Sequence, residues 1–402
     1  MNKYLWIAPG LSDEQVAEIL YYGGSISSSY VSQINILTGL ESVLKNELDT
    51  INGYSFDEYP KHPRLIIKQS VWSRNNSSIN VSPEYINVKY FNRVFKTIAL
   101  IKIGEKYLKG LEKGANLKII VYSMHSPFLI LAWWITVKHR KSQIFLVVPD
   151  LPSFMDMNMN LIKRFLKNVD WILIKLILLR IKKYILYSKN MANYLNIRNE
   201  QWLLMEGSVN TKEILKTNRI EKESGLFIIM YSGVLDKKYG IDLLVKAFCM
   251  CDNDNFRLWL TGSGDYLQEI NDVLEKDTRV KLWGFIPSRI DLLKLQNCAS
   301  VLVNVRLPSE LSSKYCFPSK LLEFMLSGNP VLSFKIDGIP EEYFEYIVEM
   351  TPSIDGVRHA IMNMYSLSES ERIQIGDRAR KFIIDNKTNI KQAEKIKRFI
   401  GD

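Results

Sequence analysis

Cysteine and histidine are scarce in this 402-residue sequence, with four of each. Cys249, Cys251, Cys298 and Cys316 lack the spacing of a zinc site or of a thiol–disulfide redox motif, and they fit a reducing cytoplasm. The single Asp-x-Asp pattern, at residues 252–254, resembles a polar turn. We therefore expect neither a metal centre nor a bound cofactor.

Long apolar runs are also missing. The longest, "PFLILAWWITV" at residues 127–137, is well short of the roughly 20 residues that span a bilayer. The opening "KYLWIAP" is too short for the apolar region of a secretory signal. The Gly-x-x-x-x-Gly-Lys-Ser/Thr pattern is absent, which argues against a P-loop. These absences predict a cytoplasmic protein without a membrane span.

Positive charge is in excess, and it is unevenly placed. The net charge is +10, and residues 1–207 hold 26 Lys and Arg against 16 Asp and Glu. Within that half, residues 51–207 hold 24 basic against 10 acidic residues. Such a region favours a phosphate-rich partner, an anionic membrane or nucleic acid, although a basic solvated exterior gives the same count. The aromatics there form no stacking pattern, so we expect no nucleic acid.

Strand-like and helix-like segments alternate in both halves of the sequence, which predicts an α/β fold with two doubly wound domains. The predicted boundaries are 1–207, 208–385 and a final helix at 386–402, with a polar linker near 210–225. The predicted strands are "KYLWIA", "RLIIK", "LKIIVYS", "QIFLVV", "YILY" and "WLLM" in the first half, and "LFIIMY", "FRLWL", "RVKLW", "SVLVNV" and "PVLSF" in the second.

The stretch "FPSKLLEFMLSGNPVL", residues 317–332, combines an apolar helix with a polar stripe at Ser319, Lys320, Glu323 and Ser327. Pro318 suits a first helical turn, and Gly328 with Pro330 gives the stop. Ligands of α/β sheets lie at the carboxyl ends of strands, where helix N-termini favour phosphate. Arg306 and Lys320 would add positive charge. The stretch predicts a nucleotide-diphosphate site, or else an ordinary βαβ unit with a solvated stripe.

Three further turns, each between a strand and a helix, would line the same edge. They are "YSGVLDKKYG" with Gly233, Lys237 and Lys238, "LTGSGDYL" with Gly262 and Gly264, and "WGFIP" with Ile286. Each is weak evidence alone, and together they favour one ligand site.

These segments, spanning about 230–343 in order, resemble the donor domain of GT-B glycosyltransferases. The resemblance is to the retaining family 4, which includes enzymes of bacterial capsule and exopolysaccharide synthesis. The first half is similar only loosely, through "YYGGSISSSY", "YSMHSPF", "VVPDLPSFM", "YSKNMANYL" and "MEGSV". The resemblance implies two Rossmann-like domains facing across a cleft, with a C-terminal helix that returns to the first domain.

The resemblance also implies residue roles. Glu323 would hold the nucleotide ribose, Ile286 would contact the base through its backbone, and the backbone from Phe317 to Ser319 would hold the diphosphate. Gly24 and His125 would lie on the acceptor side of the cleft. Asp150 is assigned to the same side because it follows a predicted strand, and a turn-forming Asp-x-Pro is the alternative. The implied catalytic residues are His125 and Lys320, and the implied donor-binding residues are Gly233, Lys237, Lys238, Gly262, Gly264, Ile286, Arg306, Phe317, Ser319, Lys320 and Glu323.

The sequence departs from the family pattern in two places. Tyr315 stands where the first glutamate of the Glu-x₇-Glu motif belongs. Val234 replaces an arginine after Gly233, and Tyr239 stands where a lysine usually falls. These departures bear more on the donor sugar than on the fold.

The implied activity is metal-independent transfer of a hexose, with retention, from a nucleotide diphosphate sugar (UDP favoured) to a glycan hydroxyl in cell-surface polysaccharide synthesis. A catalytically decayed scaffold and a nucleotide-sugar isomerase are the alternatives.

Residues 160–183 predict a helix at the inner surface of the plasma membrane, which suits a lipid-linked acceptor. We expect its basic arc, Lys163, Arg164, Lys167, Lys175 and Lys182, to face lipid together with Trp171, Ile174 and Leu178. Ile162, Phe165, Val169, Leu173 and Leu176 would then face the protein. A core helix whose lysines reach solvent is the alternative.

Overall fold

The structure, a computed structural model, describes residues 2–22, 28–74, 78–151, 161–211 and 225–401. The chain forms two compact units. Unit 1 comprises Met1–Ser208 and Asn389–Asp402, and unit 2 comprises Val209–Thr388. Most of the segment predicted as a linker, residues 212–224, lies outside the described residues.

Unit 1 is built on an eight-stranded sheet in the order β10-β9-β8-β7-β1-β2-β5-β4, in which every neighbouring pair is parallel except β4 with β5. β3 and β6 form a separate antiparallel pair. The strands are β1 (Asn2–Ala8), β2 (Leu48–Asn52), β3 (Ile66–Ile67), β4 (Ser70–Arg74), β5 (Ser78–Ser82), β6 (Tyr85–Ile86), β7 (Asn116–Tyr122), β8 (Ser142–Val148), β9 (Ile181–Leu186) and β10 (Trp202–Leu204).

The central strands of this sheet read as continuous apolar runs because helices cover the sheet. The helices are α1 (Asp13–Tyr21), α2 (Ser28–Leu44), α3 (Asn92–Gly110), α4 (Ser126–Lys138), α5 (Leu161–Leu178) and α6 (Lys189–Tyr194). Ser12 begins α1 with a capping box, in which its hydroxyl accepts from the backbone of Gln15 and the Gln15 side chain accepts from the backbone of Ser12.

Unit 2 has six strands, all parallel, in the order β13-β12-β11-β14-β15-β16. The strands are β11 (Phe227–Ser232), β12 (Phe256–Thr261), β13 (Val280–Gly284), β14 (Val301–Asn304), β15 (Val331–Phe334) and β16 (Val348–Met350). The helices are α7 (Ile241–Cys249), α8 (Leu267–Leu274), α9 (Arg289–Cys298), α10 (Leu311–Tyr315), α11 (Lys320–Ser327), α12 (Ile354–Ser366) and α13 (Glu369–Asn386).

Two apolar cores lie on the two faces of this sheet, because successive side chains of a strand point to opposite faces. On β11, Ile229 and Tyr231 belong to one core, with α7 and α12. Ile228 and Met230 belong to the other, with α11 and α13. Unit 2 is therefore a three-layer α/β/α domain, as the alternating pattern predicts.

The last helix, α14 (Asn389–Phe399), belongs to unit 1, as predicted. It packs on α2, where a Cβ on Gly39 would lie 2.1 Å from the carbonyl oxygen of Asn389. Gln392 donates to the carbonyl of Gly207 at 2.8 Å, and Lys118 donates to the carbonyl of Gly401 at 2.8 Å. The chain end is thereby tied to the unit in which the chain began.

Several elements do not match the predicted ones. β2, β4, β5, β6 and β16 were not predicted, because sequences such as "LDTIN" and "SVWSR" mix polar residues into short strands. The apolar run at residues 127–137 forms α4, a helix without one-sided periodicity. α11 begins at Lys320 with Ser319 as its N-cap, and so starts later than the predicted Pro318.

The predicted orientation of α5 is wrong. Ile174 is buried, whereas Phe165, Val169 and Leu176, which were expected to face the protein, are 67%, 49% and 60% exposed. Leu173 is exposed too. Both faces of this helix are apolar, so periodicity alone could not decide which one packs. The side chains of the predicted Ile162 and Lys163 lie outside the described part.

Candidate functional site

The carboxyl ends of the six parallel strands of unit 2 form one edge, where the predicted donor residues collect. Numbered along the chain, the strand order is 3-2-1-4-5-6, the doubly wound order whose direction reverses between the first and fourth strands. Those strands are β11 and β14. Ligands of such sheets bind in the crevice outside this switch point, so the geometry selects the region between Gly233 and Arg306.

Lys320 bridges the switch point. It lies on α11, the helix that follows β14 through the loop carrying α10, and its Nζ donates to Ser232 Oγ at the end of β11, at 3.1 Å. Burial lowers the pKa of Lys320, and the nearby Glu323 carboxylate opposes that shift. An ammonium group at the first turn of a helix lies where an anion is already favoured by the free N–H groups. The sequence predicted the lysine, but not its partner on β11.

Two glycine turns of the edge interlock. Gly262 has φ of 128°, and a Cβ there would lie 1.8 Å from the carbonyl oxygen of Gly233. A Cβ on Gly264 would lie 2.5 Å from Leu235 and from Asp236. The Asp265 N–H donates to Asp236 Oδ1 at 2.6 Å. These glycines are thus required for one loop to pack on the other, and their contact with a donor stays a prediction.

Arg306 lies at the end of β14 and is held in place by neighbouring side chains. Its Nε donates to Ser313 Oγ at 3.2 Å, and its guanidinium lies over the ring of Tyr239, 5.7 Å from the centroid. The carbonyl of Ser313 accepts from the Gly338 N–H at 2.9 Å. The long loop before α11 is therefore anchored, with a cation at its start.

Lys237 and Lys238 lie at the surface and are already paired. Lys237 Nζ is 2.9 Å from Glu269 Oε1, and hydrogen bonding to that carboxylate raises the pKa of Lys237. Lys238 Nζ is 3.5 Å from Asp236 Oδ2. A phosphate would have to compete with these carboxylates, so the structure makes Lys320 and Arg306 the stronger candidates for the diphosphate.

Glu323 makes an ion pair that sequence reasoning missed. Its Oε1 is 2.8 Å from Nη2 of Arg289, and both side chains are largely buried. Arg289 is the first residue of α9, which follows β13 through the turn containing Ile286. The contact of Glu323 with a nucleotide ribose stays a prediction. The ion pair depends on two helices 34 positions apart meeting in space, and no local pattern signals that.

The remaining predicted donor residues are placed as follows. The side chain of Phe317 is buried against Tyr343, with ring centroids 5.2 Å apart, so only its backbone could serve a ligand. Ser319 is exposed and Ile286 is half-buried. Ser327 is buried and donates to the carbonyl of Phe324 at 2.6 Å, so it belongs to the helix end and not to a ligand stripe.

In unit 1, His125 and Asp150 follow the neighbouring parallel strands β7 and β8, so they share the carboxyl edge of that sheet. His125 is the N-cap of α4, and burial, together with the charges of Lys96 and Arg93, holds its pKa well below the ordinary value. Gly24 lies outside the described residues. Among the residues that are described, no group of three His, Cys, Asp or Glu side chains could hold a metal ion.

Comparison with known proteins agrees with this geometry. Residues 227–365 match the protein-family profile described as "Glycosyl transferases group 1". No curated protein sequence matches the chain. Across the described residues, no helix is both long and apolar enough to cross a membrane.

Solved structures share the fold over the whole chain. HepE from Anabaena in complex with UDP has a TM-score of 0.65 at 12% identity and covers 99% of each chain. The same protein with UDP-glucose has a TM-score of 0.61 at 13% identity, over 100% of this chain and 99% of that one. An E. coli structure described as trehalose-6-phosphate bound with UDP-2-fluoro glucose has a TM-score of 0.63 at 11% identity, over 100% and 99%. The protein thus has the GT-B fold with two Rossmann-like domains, and its unit 2 carries the segment that matches the group 1 glycosyl transferases.

Proposed function

We propose that this protein is a hexosyltransferase that moves a sugar from a nucleotide diphosphate, with UDP favoured, to a hydroxyl of a glycan acceptor. The observation that carries the proposal is Lys320, an ammonium at a helix N-terminus that donates to Ser232 at the end of β11, one of the two strands of the switch point. The family match of residues 227–365 and the UDP complexes of the GT-B neighbours support it.

In the proposed reaction, the bond between the anomeric carbon and the diphosphate oxygen breaks, and the diphosphate leaves with the electron pair. A bond then forms from the anomeric carbon to the acceptor oxygen, with retention by resemblance, and the proton of the acceptor hydroxyl passes to the departing diphosphate. Lys320, Arg306 and the N-terminus of α11 would stabilise the charge on the departing oxygens, as preorganised donors do in a low-dielectric site. With these cations in place, the departure does not require a metal ion.

The proposal is tested by incubating the protein with a panel of nucleotide sugars and measuring released nucleotide, with and without a glycan acceptor. We expect release from a UDP-hexose, and we expect UDP to raise the melting temperature. UDP binding without release from any donor would favour a decayed scaffold, for which Tyr315 in place of the usual glutamate is the motivating residue. If the protein neither binds UDP nor releases nucleotide from any donor, the proposal that it uses a nucleotide sugar is rejected.

We further propose that the acceptor is lipid-linked and that unit 1 docks on the inner face of the plasma membrane, in cell-surface polysaccharide synthesis. Support comes from the solvent-facing side of α5. Phe165, Val169, Ile172 and Leu176 are between 49% and 67% exposed, and at about 100° per residue they fall within an arc of about 60°. Ile174 and Ile177 point the other way and are buried.

Basic residues flank this apolar face, which favours an anionic bilayer over an uncharged partner. Arg164 and Lys175 are exposed at one border of the face. Arg93 of α3 pairs with Asp170 of α5 at 3.0 Å, so one further basic residue lies beside this helix. An amphipathic helix of this kind lies in the headgroup region with its apolar side chains inserted and its cations at the phosphates.

Replacing Phe165, Ile172 and Leu176 together by serine should weaken vesicle binding by about 100-fold or more, because each apolar side chain contributes on the order of 1–2 kcal/mol on insertion. The measurement is co-sedimentation with vesicles containing anionic lipid, at low salt. The matched control replaces Val71 and Ile79, which are 61% and 67% exposed elsewhere in unit 1. Binding that survives the triple substitution, or a wild-type protein that ignores these vesicles, would remove α5 as the membrane contact.

A further inference from the structure

Unit 1 contains a buried lysine that has no carboxylate partner in the part of the chain that the structure describes. Lys96 of α3 is 1% exposed, and among the described residues it takes part in no ion pair. Its Nζ donates to Ser55 Oγ at 2.5 Å and lies 5.8 Å from the ring centroid of Tyr85. Burying a charge is costly unless it is paired, so this lysine either gives up its proton or keeps its charge with the help of an anion.

The Ser55 hydroxyl connects the buried Lys96 ammonium to the protein surface. Ser55 is exposed, and its Oγ lies 3.5 Å from Nε2 of His125. Because the hydroxyl oxygen accepts from Lys96, its own O–H is left to donate outward, to the imidazole or to an arriving oxygen. His125 lies at the N-terminus of α4, where the helix dipole also favours negative charge.

The charged groups around this cluster are positive on balance. Burial, together with the smaller effect of the charge of Arg93 one turn earlier on α3, lowers the pKa of Lys96 to about 7. Arg93 itself pairs with Asp170 on α5, and that carboxylate is therefore not available to Lys96. His125 faces the cluster from α4 and Tyr85 faces it from β6. The surroundings suit an incoming anion and disfavour a cation.

We propose that Ser55, Lys96 and His125 form an oxyanion site of unit 1, which is completed by a phosphate ester on the ligand that this unit binds. The buried Lys96 ammonium supplies the positive charge, and the exposed Ser55 hydroxyl donates a hydrogen bond to the phosphate oxygen. This site would lie on the acceptor side of the proposed glycosyltransferase. Only the statement that its ligand is the acceptor rests on the proposed function. The phosphate is carried either by a sugar or by a lipid.

The test uses inorganic phosphate as the probe and starts from a Lys320→Met protein, so that phosphate binding at the edge of unit 2 is suppressed. Phosphate binding is followed by the concentration-dependent rise in melting temperature at low salt and pH 6.5. We expect saturable binding that is weakened about tenfold or more by Lys96→Met and several-fold by Ser55→Ala, because a charge-assisted hydrogen bond is lost. Lys106→Met, an exposed lysine on the same helix, should change nothing.

Methionine is similar in length to lysine and removes only the buried charge, so Lys96→Met should fold. Ser55→Ala alters an exposed residue and gives an independent measurement. Equal phosphate binding by both variants and their parent, or no saturable binding by the parent, would overturn the proposal. UDP binding is measured separately on the protein with Lys320 intact and tests the donor site of unit 2. A failure of the proposed function is therefore distinguishable from a failure of the phosphate site in unit 1. Repeating the titration with glucose 6-phosphate and with geranyl phosphate identifies the source of the phosphate by the lower half-saturating concentration.

Discussion

Replacing Lys320 by methionine is expected to lower the rate of sugar transfer by about 10²- to 10³-fold, the usual effect of deleting one preorganised donor to a developing oxyanion. The ammonium is held at the switch point by Ser232, 3.1 Å away, and needs no rearrangement to meet a diphosphate. Its lost hydrogen bond should also weaken UDP binding by about 10- to 150-fold, corresponding to about 1.5–3 kcal/mol. Arg306→Met should act in the same direction.

The measurement compares UDP with uridine by calorimetry, alongside transfer kinetics. Lys320→Met should reduce UDP affinity and leave uridine affinity nearly unchanged, since uridine carries no phosphate. Glu323→Ala should reduce both, if the carboxylate holds the ribose. Lys294→Met is the matched control, an exposed lysine of the neighbouring helix α9 that pairs with Asp291. An equal loss of uridine affinity in Lys320→Met would mean that the lysine supports the fold and not the phosphates.

The free energy of unfolding should rise with pH between 7 and 9.5, and Lys96 should account for about 3 kcal/mol of that rise. The pKa of Lys96 is depressed from 10.5 to about 7 in the folded protein. Between those two values the unfolded chain binds more protons than the native state, so raising the pH favours folding. At about 1.4 kcal/mol per pKa unit, most of the burial penalty disappears across this window.

Urea unfolding at pH 7, 8 and 9.5 gives the free energy of unfolding of wild type and of Lys96→Met. The contribution of Lys96 is the difference between their two pH dependences. The subtraction removes other groups whose pKa values are shifted by burial, among them Lys118 and Cys251. Lys106→Met should retain the wild-type pH dependence. Parallel curves for wild type and Lys96→Met would show that Lys96 is not a buried, neutralisable amine. Phosphate should flatten the dependence if it binds beside Lys96, because an anion favours the charged form.

The donor edge was largely predictable from local sequence. A short apolar run bounded by turn residues, such as "LFIIMY", is typical of a buried strand, and Gly262 needs a positive φ that other residues adopt rarely. The segments from 230 to 343 therefore predicted the strand–turn–helix units, with Gly233 and Arg306 just after strands and Lys320 in a helix that follows. The partners of those residues were not predictable. Ser232 with Lys320, and Arg289 with Glu323, are brought together by strand order and helix packing.

Unit 1 was harder to predict because more of its elements depend on contacts between residues that are distant in the sequence. The chain signals β1, β7 and β8 by apolar runs, whereas β2, β4 and β5 carry polar residues and are recognisable as strands only beside their neighbours. Ser55 and Lys96 are 41 positions apart, and nothing in either segment distinguishes Lys96 from the surface lysines of α3. Its burial follows from the packing of α3 on the sheet and on α4.

The sequence by itself determined the α/β class and the strand–turn–helix unit that ends in α11, because these follow from local apolar pattern and turn chemistry. The return of the last helix to unit 1 was implied by the family resemblance, and a phosphate site at the start of α11 stays a prediction. Only the tertiary structure decided which side of α5 faces solvent. Both sides of that helix carry large apolar residues, so the hydrophobic effect alone permits either orientation. In the folded unit α5 packs on α4 with Ile174 and Ile177 buried, and Phe165, Ile172 and Leu176 are left outside.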